Sequence, residues 1–545
     1  MPGPASDMKR DPILWKRSAM DATGAQGHRQ YSETMKKSKN YVALFYVLAV
    51  FILIPIYNKG TFSNITGHKI EAFYFVSGLT LILYVIASFI QDFRTKENAK
   101  EASDSANSRS GKRTVLGAFG VGIASPHFSM ALFGAAVLIS TILSGFTKET
   151  SSGFSFETVK ESIYGVPGFC MGMLTLAIMI LSFYYISRYL ICRQWIFHVI
   201  VAASVIPTII AIMNRLGLDP LRMFPTGTEP QYSLYVSTFG NYGWYSEYMA
   251  VIIPIAIYMF AMSWAKSSGA RGPFEKNIEN HPGVGKKNVE SSLGARRLNF
   301  NGVLYGAYLA IAAVAVYMCG TKMLMVTCAA AIAIVLVMKL RKTDSARENG
   351  KSGSLQETST AIFVLVICAY FIAVFLIAGH DDLANGRGYI WQMALDLYKS
   401  LPVKDKLFGV GPNRFMYALQ DYLSLRPDAA AAFDEHFNGL ALTSAHSELL
   451  DYLINTGIVG LAAYLYMIYT VAAAFPAPML ERDAKASNVR SEAFRKQKEI
   501  TFVAATSYFI YSLCNFSIIC ATPYFFILLG ILARKREHDM SENEA

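Results

Sequence analysis

Twelve long apolar runs constrain this chain more than any other feature. A helix needs about 20 apolar residues to cross the roughly 30 Å hydrocarbon core of a bilayer. Such runs lie near 41–57, 72–90, 115–145, 165–187, 195–213, 241–264, 302–319, 322–339, 360–378, 447–475, 499–515 and 517–533. They predict an all-α, polytopic membrane protein with about 12 transmembrane helices. Eleven or thirteen result if the over-long 115–145 run or the tight hairpins at 302–339 and 499–533 divide differently. Composition agrees, with 53% hydrophobic and only 16% charged residues in 545, against about 25% charged in an ordinary soluble domain. No soluble catalytic domain of ordinary size fits between the runs.

The basic residues orient the helices. They gather at Lys36, Lys37 and Lys39, from Arg94 to Arg113, Lys266 to Arg297, Lys339 to Lys351, Arg482 to Lys498, and at Arg534, Lys535 and Arg536. These segments alternate with poorly charged ones, as the positive-inside rule requires of cytoplasmic loops. Both termini are therefore expected in the cytoplasm, with the chain in a cytoplasmic (inner) membrane. The net charge of +11 is then a topology signal. Nucleic-acid binding is the weaker reading, because the charges are dispersed and lack interleaved aromatics. Forty mostly polar residues precede the first run, without the pattern of a cleavable signal. That tail (1–40), the stretch from Thr95 to Lys112, residues 266–296 and the C-terminal tail (534–545) are expected to be flexible. The seven cysteines all sit in or beside apolar runs and form no CxxC pair, so neither a metal site nor a disulfide framework is indicated.

The predicted organisation is nine transmembrane helices over 41–378, an extracytoplasmic loop over 379–446, and three more helices over 447–533. Long connections in compact proteins carry function or are disordered. This loop has aromatics, glycine turns and an amphipathic stretch, so the chemistry is expected there. It opens with Asn385-Gly386-Arg387-Gly388-Tyr389-Ile390-Trp391 and a helix to about Leu401. Arg387 and Trp391, four apart, share a helical face. Lys406 to Phe415 follows, where Gly409 and Gly411 allow a turn or a close backbone approach. The loop closes with Thr443-Ser444-Ala445-His446-Ser447-Glu448, running into a helix that contains Gly457 and Gly460.

His446 is expected in the first turn of that helix, capped by Ser444. The positive end of the helix dipole disfavours imidazolium, leaving a neutral ring that can act as a general base; a histidine satisfying one interfacial hydrogen bond is the plainer reading. Arg387 and Arg414 are cations kept outside against the positive-inside bias, which suits an anionic ligand or a loop brace. Lys322, in the short turn Cys319-Gly320-Thr321-Lys322 between two apolar helices, either serves function at membrane depth or snorkels. Glu247 lies about two turns below the outer face, as an ion partner or as a polar plug between helices. No GxxxxGK[ST] occurs, so a phosphate-cradling nucleotide loop is excluded.

Taken together these segments resemble the O-antigen ligase and polysaccharide polymerase superfamily over roughly 127–475. Gly386-Arg387-Gly388-Tyr389-Ile390-Trp391 matches an Arg-x-x-x-Trp helix, and Phe408-Gly409-Val410-Gly411 matches a Phe-Gly-x-Gly turn. Ala445-His446-Ser447-Glu448-Leu449 with Gly457-Ile458-Val459-Gly460 is similar to a histidine leading into a Gly-x-x-Gly helix, and Ser237-Thr238-Phe239-Gly240-Asn241 to a Thr-Phe-Gly-Asn segment. The chain departs from the pattern in having Ser447 where many members have Asn. Lys322 stands where many have an arginine. No arginine directly precedes Thr238; the nearest external cations are Arg215 and Arg222.

The resemblance implies a GT-C-like fold and a cofactor-free, metal-independent inverting glycosyltransferase. Its donor would be a glycan on undecaprenyl diphosphate, and its acceptor a glycan, lipid or protein hydroxyl. His446 would take the acceptor proton, Arg387, Lys322 and Arg414 would hold the diphosphate, and Trp391, Asn241, Arg215 and Arg222 would help to bind substrate. Ligase and polymerase stay open. A twelve-helix transporter or flippase, and a cell-wall glycosyltransferase with a large external loop, are the competing classes; the former is disfavoured by the absence of a visible repeat.

Overall fold

The computed structural model describes residues 37–61, 64–103, 125–146, 154–223, 237–267, 300–345, 354–378, 380, 386–475 and 489–534. Among them there is no strand. The helices are α1 (Lys37–Ile56), α2 (Ile65–Ser103), α3 (Pro126–Leu143), α4 (Phe156–Tyr164), α5 (Met173–Tyr189), α6 (Gln194–Arg215), α7 (Tyr242–Ser267), α8 (Phe300–Cys319) and α9 (Lys322–Ser345). They continue with α10 (Ser354–Ile377), α11 (Arg387–Ser400), α12 (Val403–Phe408), α13 (Phe415–Ser424), α14 (Pro427–Phe437), α15 (Glu448–Asn455), α16 (Gly457–Ala473), α17 (Val489–Ser512) and α18 (Thr522–Ala533).

Among the described residues, seven helices are long and apolar enough to cross a bilayer: α1, α2, α3, α6, α7, α8 and α9. The apolar parts of α5, α10, α16 and α18 are shorter. The expected runs and the helices do not coincide throughout. The run at 447–475 is broken at Thr456 into α15 and α16, and α17 starts at Val489, ten residues before its apolar run. The ion pairs Lys496–Glu492 and Arg495–Glu499, each one helical turn apart, support that polar beginning. Similarly, α2 extends to Ser103, past Thr95 where flexibility is expected. Residues 1–36, 268–299 and 535–545, which hold most of the other segments expected to be flexible, lie outside the described residues.

Helices that are apolar on every side belong in the centre of a bundle or in lipid, and both occur. Every residue of α18 is buried; it packs on α5 and α17, and α17 packs on α7. By contrast, α2 turns Phe75, Leu81 and Phe89 outward, and α10 turns Leu365 and Phe375 outward. In water such a surface would be a large apolar patch; against lipid it needs no cover.

The end of α1 is held by a buried lysine. Lys69, fully buried in the first turns of α2, donates to the carbonyls of Ile54 (2.7 Å), Pro55 (3.2 Å) and Tyr57 (3.0 Å). These are last-turn carbonyls left without helical partners. Thr238 donates to the Pro55 carbonyl as well, so the 3-10 turn Ser237–Phe239 is fastened to the same point.

Candidate active site

The helices α11 to α14 cover one end of the bundle, and the residues singled out from the sequence reach it by two routes. The first is a backbone interlock. Gly409 and Gly457 both have left-handed φ values, +83° and +70°, which glycine adopts without a side-chain penalty. A Cβ at Gly409 would lie 2.3 Å from the Asn455 carbonyl oxygen, and one at Gly457 2.3 Å from the Leu407 carbonyl carbon. The two turns therefore meet main chain to main chain. The Val410 N–H donates to Ile454 O and the Gly411 N–H to Asn455 O, both at 3.0 Å. Those carbonyls lie in the last turn of α15, where the helix breaks. Gly411 and Gly460 are equally hemmed in, by Ser162 and Thr456. Of the two uses open to these glycines in the sequence, turn and close approach, the structure shows both at once.

The interlock fixes α15, and α15 fixes the histidine. His446 lies just outside the helix at φ +48°. The cap is Ser447, whose Oγ accepts from the Leu450 N–H; Ser444 Oγ instead accepts from the His446 N–H at 3.3 Å. This corrects the expectation that His446 occupies the first helical turn under a Ser444 cap. Tyr370 of α10 hydrogen-bonds the Ser447 hydroxyl and stands 6.2 Å from the Trp391 ring. Trp391, expected at the substrate, is 1% exposed and so supports the histidine turn through Tyr370.

The second route is the short connection between α17 and α18. Arg387 Nε donates to the Cys514 carbonyl at 2.9 Å, and two residues on, the Phe516 ring meets the His446 imidazole edge-on at 5.1 Å. One three-residue stretch, Cys514 to Phe516, thus holds both groups. Burial, and after it the Arg387 charge, push the His446 pKa down to about 4, so the ring is neutral near pH 7. The cause differs from the helix dipole expected; the protonation state is the same. Among the described residues the ring nitrogens have no hydrogen-bond partner.

The other cations divide into two groups. Arg215 donates to the Cys319 carbonyl at 3.3 Å, and so touches the turn that carries Lys322. That turn is joined to α7 by Thr321 and Ser246 at 2.8 Å. Tyr511, three residues before Cys514, donates to Gly243 O at 3.2 Å. The start of α7 therefore lies between the Lys322 turn and the stretch that holds Arg387. Lys322 and Arg222 are exposed. Arg414, in contrast, is engaged elsewhere: it pairs with Glu161 at 3.2 Å, lies over Tyr417, and its backbone N–H goes to Asn455 Oδ1. It braces the loop. Asn241 Oδ1 accepts the Gly243 N–H at 2.6 Å, capping the start of α7.

Carboxyls lie beneath the site, of which sequence reasoning singled out Glu247 and missed the roles of Glu448 and Asp451. Glu247, fully buried, accepts from Asn515 Nδ2 at 2.8 Å and from Tyr508 at 3.1 Å, which fits the polar plug between helices. Glu448 accepts from Ser517 at 2.6 Å. Asp451 Oδ1 accepts the Ala445 N–H at 2.8 Å and so secures the residue before His446. The i, i+3 spacing of Glu448 and Asp451 in the first turn of an otherwise apolar helix was the available signal.

Residues 307–465 match the O-antigen ligase family. The matched stretch runs from within α8 into α16, and includes Lys322, Arg387, Trp391, Arg414, His446 and the four glycines. It leaves out Asn241, Arg215 and Arg222. No curated protein matches the chain.

Proposed function

We propose that this membrane protein of the O-antigen ligase and polymerase family transfers a glycan from an undecaprenyl-diphosphate carrier to an acceptor hydroxyl. The reaction would take place at the outer face of the cytoplasmic membrane, with about twelve helices forming the span. The observation that supports this most is the fastening of a neutral imidazole and a guanidinium to one stretch, Cys514 to Phe516. A base and a fixed cation side by side suit an attack in which a hydroxyl loses a proton while a diphosphate gains charge.

In the proposed step His446 accepts the proton of the acceptor hydroxyl as its oxygen attacks the anomeric carbon. The new carbon–oxygen bond forms as the bond to the diphosphate oxygen breaks, and the leaving diphosphate carries away the electron pair. Arg387 stabilises that charge from a position fixed before reaction, and Lys322, with Arg215 beside its turn, supplies further positive charge. A single displacement inverts the anomeric configuration and requires no metal. The proton leaves His446 for solvent readily, since its pKa is already low.

The test is a transfer assay with the full chain in liposomes carrying lipid-linked donor. His446→Ala abolishes transfer and leaves donor binding within about threefold, because the base acts on the acceptor. Full activity in that variant refutes the assignment.

A further inference from the structure

The connection between α17 and α18 touches a different group with each of four successive residues. The Cys514 carbonyl accepts from Arg387 Nε at 2.9 Å, and Asn515 Nδ2 donates to Glu247 Oε2 of α7 at 2.8 Å. The Phe516 ring meets the His446 imidazole at 5.1 Å, and Ser517 Oγ donates to Glu448 Oε1 of α15 at 2.6 Å. Three of these contacts go to α11, the histidine turn and α15. The fourth, from Asn515, goes to α7, the most buried of the long apolar spans.

Asn515 controls its neighbours on both sides. The Cys514 carbonyl and the Asn515 N–H belong to one planar peptide unit, in which they point in opposite directions. The Ser512 carbonyl holds that N–H at 3.2 Å, so the Cys514 oxygen faces Arg387 only while Asn515 keeps its place. On the other side, the Asn515 backbone dihedrals set the direction in which Phe516 leaves the turn. Asn515 is buried, at 7% exposed, and its side chain is tied to α7 through Glu247. That carboxyl has only to offer an oxygen, which it does whether protonated or ionised. Tyr508 also donates to Glu247, at 3.1 Å, but it belongs to α17 and not to the four-residue stretch.

We infer that Asn515 is a positioning residue for the proposed transfer: anchored on Glu247, it holds the peptide that orients Arg387 and the ring that abuts His446, and so keeps guanidinium and imidazole in register. The inference rests on the reading of those two groups as the reacting pair. It gives the buried carboxyl of α7 a task in the site. Asn515 and Glu247 both lie outside the matched residues 307–465, so the pair is held from a part of the chain beyond the family region.

Two measurements on the full chain test it. The first, in nanodiscs, is the NMR signal of the His446 ring Hε1 in histidine-labelled protein, assigned by its loss in His446→Ala. The edge-on Phe516 ring shifts that signal. Asn515→Ala and Glu247→Leu move it. Glu247→Gln, which keeps an oxygen for Asn515, and Tyr508→Phe, which removes the other partner of the same carboxyl, leave it in place. The second is transfer kinetics in liposomes. A misplacement of about 1 Å can cost a hundredfold, so kcat falls at least about tenfold in Asn515→Ala and in Glu247→Leu. It falls no further when the two are combined, and KM for donor and acceptor stays within about threefold. Either of the two variants serves if the other does not fold. An unmoved His446 signal or an unchanged kcat in Asn515→Ala overturns the inference. So does an equal loss of kcat in Tyr508→Phe, or losses in Asn515→Ala and Glu247→Leu that multiply. If the His446 signal moves as expected but no transfer sensitive to His446→Ala is found, Asn515 still positions the pair and the transferase reading falls.

Discussion

The glycine interlock and the cationic turns border the same site and are built in opposite ways. At the interlock, Leu407 to Gly411 and Ile454 to Gly457 meet through main chain, with two left-handed glycines and two 3.0 Å hydrogen bonds. Nothing there can move without breaking the fit. At the turns, the side chains of Lys322 and Arg222 are exposed. In the proposed reaction the first kind of construction would position the base and the second would supply charge, whose effect falls off gradually with distance. On that proposal, precision is needed where a proton would move, and much less where a diphosphate would be held.

The sharpest way to break this contrast is Gly457→Ala. A β-carbon would be strained at φ +70° and would sit 2.3 Å from the Leu407 backbone. A destabilisation on the order of 2–4 kcal/mol is expected, read as a lower melting temperature in nanodiscs and a matching loss of transfer. An unchanged melting temperature would mean that the interlock is not a rigid element.

Arg387→Ala sharpens the comparison by separating charge from position. The arginine charge lowers the His446 pKa, so its removal raises that pKa from about 4 towards the ordinary 6.5, while burial keeps part of the depression. Because the base works as the neutral ring, the acid limb of kcat/KM moves to higher pH. A pH–rate profile reads the shift, and a limb that stays in place argues against electrostatic contact between the two groups. The smallest effect is expected at Lys322. Lys322→Ala raises the donor KM about tenfold with stability unchanged, and Lys322→Arg restores or improves it, because guanidinium adds bidentate pairing to phosphate.

The apolar runs made the helices legible, since burial in a bundle and burial in lipid leave the same mark on sequence. The glycine motifs were legible as turns. Their meeting was not, because Gly409 and Gly457 come together only through tertiary packing. Trp391 and Arg414 show the same limit. Nothing local tells that Trp391 packs under Tyr370, or that Arg414 finds Glu161 some 250 residues earlier in the chain. The helix start was misplaced by three residues because Ser444 and Ser447 are equally good caps, and the backbone chose Ser447. Lys69 and Asp451 escaped notice because a charged group in the first turns of an apolar helix reads as an interfacial one until its partners are known.

The central claim is that His446 and Arg387 act on one reacting sugar, and a double-mutant cycle tests it most directly. Transfer rates would be measured for His446→Ala, Arg387→Ala and both together, with lipid-linked donor and acceptor saturating. Groups that act as a unit are strongly non-additive, so the double variant should be within about tenfold of the slower single one. Losses that multiply in full, or a double variant as fast as wild type, would contradict the account.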